Sequence, residues 1–251
     1  MYSVHPDIKR FARRPHLPRD ASGREMRFAV AALLAAVVVW VLSRGVFDSS
    51  IVHAAVVTAL HLGACASVAV FMRRTYTHAV IGLCNLVTLL RLGLTMSLVT
   101  PLLAGTAPPA WGIFTVGVLA LSLDGVDGWL ARRQGLSSTF GARFDMEVDS
   151  ALSLVLALNA LVVGSVGPAV LVLGVARYVF GAAGLAFPWL ARPLPDRFGR
   201  KVACVLQIGA LIAVQAPILS PALGVLAVVV ATLALAWSFG RDVLWLWRRR
   251  A

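Results

Sequence analysis

The chain has 251 residues, of which 59% are hydrophobic, and it carries a formal net charge of +12. Its mean hydropathy of +0.85 excludes an ordinary soluble domain and is typical of a protein with several membrane spans. The positive charge lies between apolar runs and does not coat a soluble face, which argues against a nucleic-acid partner.

Residues 1–26 form a basic segment. Ile8 and Phe11 could form the apolar side of a short helix that lies on anionic lipid, and Pro15 would end that helix. A disordered basic tail explains the same composition, and the sequence leaves both interpretations open. The first apolar run begins only after Arg27, later than in a cleavable signal peptide, so we expect a retained helix.

Eight apolar spans follow, each near the length that crosses a bilayer. Turn-forming proline, glycine and polar residues separate them. The sequence therefore predicts an all-α integral membrane protein, with two N-terminal helices in 27–78 and the other six in 79–251. The predicted spans are 27–44, 51–72, 79–104, 109–133, 145–164, 168–190, 201–217 and 220–246.

Arginine and lysine residues are concentrated in alternate connections of this eight-span chain. One set of connections, which includes both termini, carries nearly all of them, whereas the opposite set holds Arg44 alone. By the positive-inside rule, we expect both termini to face the cytoplasm, together with the connection between the fourth and fifth spans. We expect the membrane to be the inner or plasma membrane of the cell.

Acidic residues are concentrated where the fourth and fifth spans meet. Asp124 and Asp127 are three residues apart, and Asp145 and Asp149 are four apart, so each pair shares one face of a helix. A glycine-flanked break at 135–141 lets the two helices turn back on each other. Four carboxylates at the end of membrane helices would repel one another, and divalent cations with oxygen ligands would relieve that repulsion.

This stretch fits the pattern D-x2-D-G-x2-A-R-x8-G-x3-D-x3-D, and it resembles the motif of the CDP-alcohol phosphotransferases, membrane enzymes that build phospholipid head groups. The resemblance covers about residues 79–246. It implies a six-helix catalytic core, to which the first two spans are an addition. The matching positions are Asp124, Asp127, Gly128, Ala131, Arg132, Gly141, Asp145 and Asp149.

The resemblance also implies roles for these residues. The four aspartates would bind Mg²⁺ or Mn²⁺, as two ions, and Asp149 would in addition take the proton of the attacking hydroxyl. Gly128, Ala131 and Arg132 would contact the CDP-alcohol. The predicted metal ligands are thus Asp124, Asp127, Asp145 and Asp149.

A second element lies in the third span, where Asn85, Thr88 and Arg91 share one helix face. It resembles the N-x2-T-x2-R element with which the family binds the nucleotide end of its donor. Cys84 stands where the family often has a proline. A helix start whose arginine extends to the membrane surface is the structural alternative.

Four cations are candidates for binding the phosphate of the acceptor. Arg177 lies in the middle of the sixth predicted span, where a charged side chain needs an anionic partner. Arg197, Arg200 and Lys201 cluster in the next cytoplasmic connection, where they are also explained as topology signals. Such an acceptor would be glycerol 3-phosphate or another phosphorylated polyol.

The resemblance implies that a homodimer transfers a phosphatidyl group from CDP-diacylglycerol to an alcohol and releases CMP. An enzyme that joins a CDP-linked small alcohol to a lipid acceptor is the alternative within the class. A cation or proton transporter is the alternative from another class, because acidic residues in membranes also mark ion paths. The element Gly128, Ala131 and Arg132 favours the enzyme, since an ion path has no need of it.

Overall fold

The computed structural model describes residues 21–78, 80–105, 109–164, 166–192, 194–195 and 197–249, so the interfacial helix considered near Ile8 lies outside the described residues. The described residues form helices and no strand, which confirms the predicted all-α fold class. Short 3-10 turns occur at Pro168–Val170 and Pro188–Ala191. The helices are α1 (Ala21–Gly45), α2 (Ile51–Thr75), α3 (Leu83–Ser97), α4 (Thr100–Ala104), α5 (Ala110–Gln134), α6 (Thr139–Val163), α7 (Leu171–Ala186), α8 (Phe198–Ala213) and α9 (Pro221–Trp247).

Seven helical runs in the described part of the chain are long and apolar enough to cross a membrane. They match seven of the eight predicted spans, with α3 and α4 together forming one run, Leu83–Ala104. The remaining predicted span, 201–217, corresponds to α8, whose 16 residues extend about 24 Å. This helix packs against α5, α6 and α9 and contributes to the main core.

The third predicted span is broken between α3 and α4. Pro101 has no N–H to donate to the carbonyl of Ser97, so the regular helical pairing cannot continue through this point. The carbonyl of Leu98 accepts a 3.0 Å hydrogen bond from Nδ2 of Asn159 on α6. A buried side-chain amide therefore supports the backbone where the helix is interrupted inside the bundle.

The connection between α5 and α6 is short and has a defined stop and start. Gly135 ends α5 with φ +63°, a left-handed conformation that glycine adopts without strain. Ser138 caps α6, because its side chain accepts a 3.0 Å hydrogen bond from the N–H of Gly141. The helix therefore begins earlier than the predicted span 145–164, and Asp145 lies well inside it.

Helices α3 and α6 contribute to both hydrophobic cores. Leu94 and Leu152 belong to the larger core, which they form with residues of α5, α7, α8 and α9. Leu89 and Phe144 belong to a second core with residues of α1 and α2. The two N-terminal helices therefore pack directly against the helices that carry the sequence motifs.

Gly174 brings α7 close to α6. A Cβ atom at this position would lie 2.7 Å from Cβ of Ala157 and 3.2 Å from Cα of Leu154, so the helices would have to separate. Gly181, on the same helix, has nothing within 4 Å of its Cβ position. The two glycines thus offer a matched test of the helix packing.

We expect Gly174→Ala to lower the free energy of unfolding by about 1–3 kcal/mol through overpacking. Gly181→Ala should leave stability unchanged or raise it slightly, because alanine is the better helix former. Thermal unfolding of both purified variants in the same detergent measures the difference. Equal stabilities would contradict the close approach of α6 and α7.

Candidate active site

Four aspartates meet where α5 and α6 run side by side. Asp124 and Asp127 lie in the last three turns of α5, and Asp145 and Asp149 lie on α6. Asp124, Asp127 and Asp145 each place one carboxylate oxygen within 4.8 Å of the others. Both helices therefore contribute carboxylates to one cluster.

Arg91 of α3 joins all four carboxylates. Its side chain has no exposed surface; Nη2 lies 2.9 Å from Oδ1 of Asp124, and Nη1 lies 2.8 Å from Oδ2 of Asp127. Nη1 also donates to Asp145, and Nη2 donates to Asp149. A single guanidinium thus holds α3, α5 and α6 together, but it cannot neutralise four carboxylates.

The other two residues of the N-x2-T-x2-R element have different partners: Thr88 contacts the aspartate cluster, and Asn85 contacts Tyr76. The hydroxyl of Thr88 lies 3.0 Å from Oδ2 of Asp127. Nδ2 of Asn85 donates a 3.4 Å hydrogen bond to the hydroxyl of Tyr76, which lies 3.0 Å from the carbonyl oxygen of Val80. Burial raises the pKa of the Tyr76 phenol, so the hydroxyl stays protonated at neutral pH and can donate to that carbonyl.

An open cleft of about 410 Å³ lies beside the aspartates. Its walls come from the start of α3, the end of α5, the connection to α6 and the start of α8. It brings together most of the residues that the motifs single out for the donor. The predicted site residues in its wall are Asn85, Thr88, Asp127, Gly128, Ala131, Arg132, Asp145 and Lys201.

Two glycines line the cleft, and the structural reason for a glycine differs between the two positions. A Cβ on Gly141 would lie 3.0 Å from Oδ1 of Asn85 and 3.2 Å from Oγ of Ser138, so a side chain there would disturb the start of α6. A Cβ on Gly128 would meet only Nη1 of Arg132, at 3.5 Å. Gly128 therefore leaves backbone open to the cleft, where a phosphate can approach it closely.

The predicted acceptor cations do not come together. Lys201 lines the cleft. Arg200 pairs instead with the buried carboxylate of Asp242, with Nε 3.0 Å from Oδ2, and Arg197 lines a different groove along α9. Arg177 is half-buried on α7, and its side chain makes no ion pair with any residue that the structure describes.

Two residues close to these groups, Cys204 and Asp242, belong to none of the sequence motifs. Sγ of Cys204 lies 3.8 Å from Oδ2 of Asp149, within reach of a weak S–H hydrogen bond. Cys204 follows Lys201 by three residues and so lies on the same side of α8. This spacing in the sequence could have identified Cys204 as a neighbour of the site. Asp242 is the acidic residue of the last span, and its burial with Arg200 follows the rule that charges in membranes are paired.

Oxygen ligands grouped beside a polar cleft at the end of membrane helices are typical of membrane enzymes that act on phosphorylated substrates with divalent metals. A family model described as CDP-alcohol phosphatidyltransferase matches residues 81–237, more than half of the chain, and the chain belongs to this family. Comparisons with curated proteins and with solved structures gave no match. Members of the family transfer a phosphatidyl group from a CDP-alcohol to an alcohol.

The residues of the cluster fit a divalent ion. Hard cations such as Mg²⁺ and Mn²⁺ prefer carboxylate oxygens, and three aspartates offer such oxygens within 4.8 Å of one another. The charge also fits, since the carboxylates outnumber the guanidinium of Arg91. The family is generally dependent on divalent metals, and this acidic cluster could hold one.

We expect Arg91→Met to lower the free energy of unfolding by about 3–5 kcal/mol, because it leaves buried carboxylates without their protein cation. Adding Asp127→Asn to this variant should recover part of the loss. Arg73→Met is the control: Arg73 is 61% exposed and pairs with Glu25, so its loss should cost about 0–1 kcal/mol. Thermal unfolding in detergent with a metal chelator measures the stability of all three variants. Equal losses of stability in Arg91→Met and Arg73→Met would contradict the role of Arg91 in holding the three helices together.

Proposed function

We propose that this protein transfers a phosphatidyl group from CDP-diacylglycerol to a phosphorylated alcohol and releases CMP. The observation that carries the proposal is the cluster of Asp124, Asp127, Asp145 and Asp149 around Arg91, which borders a cleft lined by the family's donor-binding residues. Carboxylates and cations in the wall of one cleft suit a metal-bound pyrophosphate. The four aspartates are the proposed ligands of Mg²⁺ or Mn²⁺.

Donor binding is assigned to the cleft wall. Gly128 offers open backbone to the pyrophosphate, and Ala131 is small enough to leave room for the nucleotide. Arg132 follows Gly128 by one helical turn and can donate to a phosphate or to the cytosine. Asn85 and Thr88 complete the wall from α3. Arg91 lies behind the carboxylates and acts on the donor through them.

The proposed reaction is a displacement at phosphorus. The acceptor hydroxyl oxygen forms a bond to the phosphorus that carries the diacylglycerol, and the bond from that phosphorus to the CMP oxygen breaks. A bound divalent ion supplies neutralisation of the pyrophosphate charge. Oδ1 of Asp149 accepts a hydrogen bond from Arg91, which orients the carboxylate. Oδ2, whose protein neighbour is the weak donor Sγ of Cys204 at 3.8 Å, is the oxygen proposed to take the hydroxyl proton.

Acceptor recognition is assigned first to Lys201. It is the acceptor candidate that lines the cleft, together with Asp145 and Arg132. Arg177 stays in the proposal because a half-buried cation in a membrane helix needs an anion. A phosphorylated acceptor such as glycerol 3-phosphate would supply that anion, whereas an uncharged alcohol would not.

Orientation and assembly are part of the same proposal. The basic residues at the aspartate end of the bundle favour a cytoplasmic active site and cytoplasmic termini, and a C-terminal reporter fusion tests this. A homodimer is proposed by analogy with the family alone.

The decisive assay combines purified protein, labelled CDP-diacylglycerol, Mg²⁺ or Mn²⁺, and a panel of glycerol 3-phosphate, inositol phosphate, inositol, serine and choline. We expect CMP release with a phosphorylated acceptor and its loss in Asp127→Asn. Glu147→Gln is the matched control, because Glu147 is an exposed acid on α6 outside the cluster, and it should retain activity. If no acceptor in the panel supports CMP release, the result would favour one of the two alternatives: an enzyme whose donor is a CDP-linked small alcohol, or a transporter.

Asp149→Asn and Lys201→Met should differ in the kind of defect. Loss of the proposed base should lower kcat by about 10²–10⁴-fold with a smaller effect on the acceptor KM. Loss of Lys201 should mainly raise the KM of a phosphorylated acceptor, because it removes binding in ground and transition states alike. Steady-state kinetics with the best acceptor measures both. An unchanged acceptor KM in Lys201→Met would remove Lys201 from acceptor recognition.

A further inference from the structure

A second groove lies along the C-terminal half of α9, apart from the aspartate cluster. It has a volume of about 650 Å³. Besides small and aliphatic side chains of α9, its walls are cationic and aromatic. The charged and aromatic residues that line it are Arg197, Trp237, Arg241, Trp245, Arg248 and Arg249.

The arginines of this groove form no ion pair with any residue that the structure describes. No acidic side chain is among the described residues that line it, and the carboxylate of Asp242 is buried and paired with Arg200. Nε of Arg241 is buried and has no hydrogen-bond acceptor within the described part of the chain. The guanidinium of Arg249 lies over the ring of Trp245, 4.3 Å from its centroid. Guanidinium groups gathered in this way favour a phosphate.

The groove also has an apolar end. Trp237, Arg241 and Trp245 follow one another at four-residue steps on one side of α9, and Arg249 continues the series just past its end, over about 18 Å in all. Trp237 is 74% exposed and lies a few turns inside the span Pro221–Trp247, whereas Arg249 lies beyond its end. The groove is therefore apolar toward the bilayer interior and cationic at the bilayer surface. A phospholipid has its chains and its phosphate in the same order.

The position of the groove fits the surface of the bilayer on the side of the cleft. Arg197, which lines the groove, and Lys201, which lines the cleft, lie four residues apart at the start of α8. With the basic end of the bundle proposed to face the cytoplasm, the groove would meet the leaflet that carries negative surface potential.

We propose that this groove binds one anionic phospholipid of the surrounding bilayer. The phosphate lies among Arg241, Arg248 and Arg249, and an acyl chain lies along Trp237. A zwitterionic choline lipid binds less well, because its ammonium group meets the same guanidinium groups. The guanidinium of Arg241 also lies against the start of α8, since a Cβ on Gly199 would be 3.2 Å from its Nη2.

Native mass spectrometry of the full chain in detergent tests the proposal, with phosphatidylglycerol or phosphatidylcholine added in turn. We expect the wild type to retain one additional phosphatidylglycerol molecule that the variant R241Q/R249Q loses. At about 1 kcal/mol per arginine, the affinity of the groove for this lipid should fall roughly tenfold or more in the variant. Phosphatidylcholine retention should be the same in both. Lipid in the active cleft is common to both proteins, so the difference reports the groove.

Arg133→Gln is the matched control. Arg133 lies 5.0 Å from the ring centroid of Trp129 near the end of α5, so this variant removes an arginine–tryptophan contact outside the groove. It should hold phosphatidylglycerol as the wild type does, and both variants should keep CMP release. If R241Q/R249Q aggregates, the single variant R248Q at an exposed position carries the test, with a several-fold loss expected.

Three results would overturn the proposal. One is equal retention of phosphatidylglycerol by the wild type and R241Q/R249Q. Another is displacement of the bound lipid by inorganic phosphate at millimolar concentration, which would indicate a site for soluble anions. The third is a change of oligomeric state in R241Q/R249Q with unchanged lipid retention, which would make the groove a contact between protein chains.

Discussion

The contact between Arg91 and the four aspartates constrains the rest of the structure. A guanidinium does not lose its proton in a protein, so Arg91 stays charged inside the bundle and needs anionic partners there. Those partners come from α5 and α6, and the three helices must therefore converge at this level. Removing charges from water is costly, and many well-formed hydrogen bonds are needed to offset that cost. The fold supplies them from three helices at once.

The wall of the cleft carries both signs of charge. Asp127 and Asp145 pair with Arg91 of α3, whereas Arg132 and Lys201 line the same cleft. A substrate phosphate can meet the cations directly, whereas it can approach the carboxylates only with a metal between them. The cleft thus suits an anion that is bound to a divalent cation, which is the form in which pyrophosphates are commonly handled.

Much of this site could be predicted because it depends on spacing within single helices. The two aspartate pairs and the break at Gly135 are of this kind. Contacts between helices could not be predicted in the same way. Helical spacing put Arg91 on a face with Asn85 and Thr88, but no local pattern shows that this face meets four carboxylates. Arg197 and Lys201 are close along the chain, so the sequence groups them. In the structure Arg197 precedes α8 and has an extended backbone, at φ −138° and ψ 130°. It lines the groove along α9 and not the cleft.

The two N-terminal helices take on a different meaning once their contact with α3 is considered. A Cβ on Gly93, two residues from Arg91, would lie 3.4 Å from both Cβ and the carbonyl oxygen of Ala35 on α1. Without α1 and α2, acyl chains would cover that side of α3, and a helix with a charged centre would draw water and headgroups into the bilayer around it. The helices α1 and α2 therefore cover a side of α3, close to Arg91, that would otherwise face the acyl chains of the bilayer.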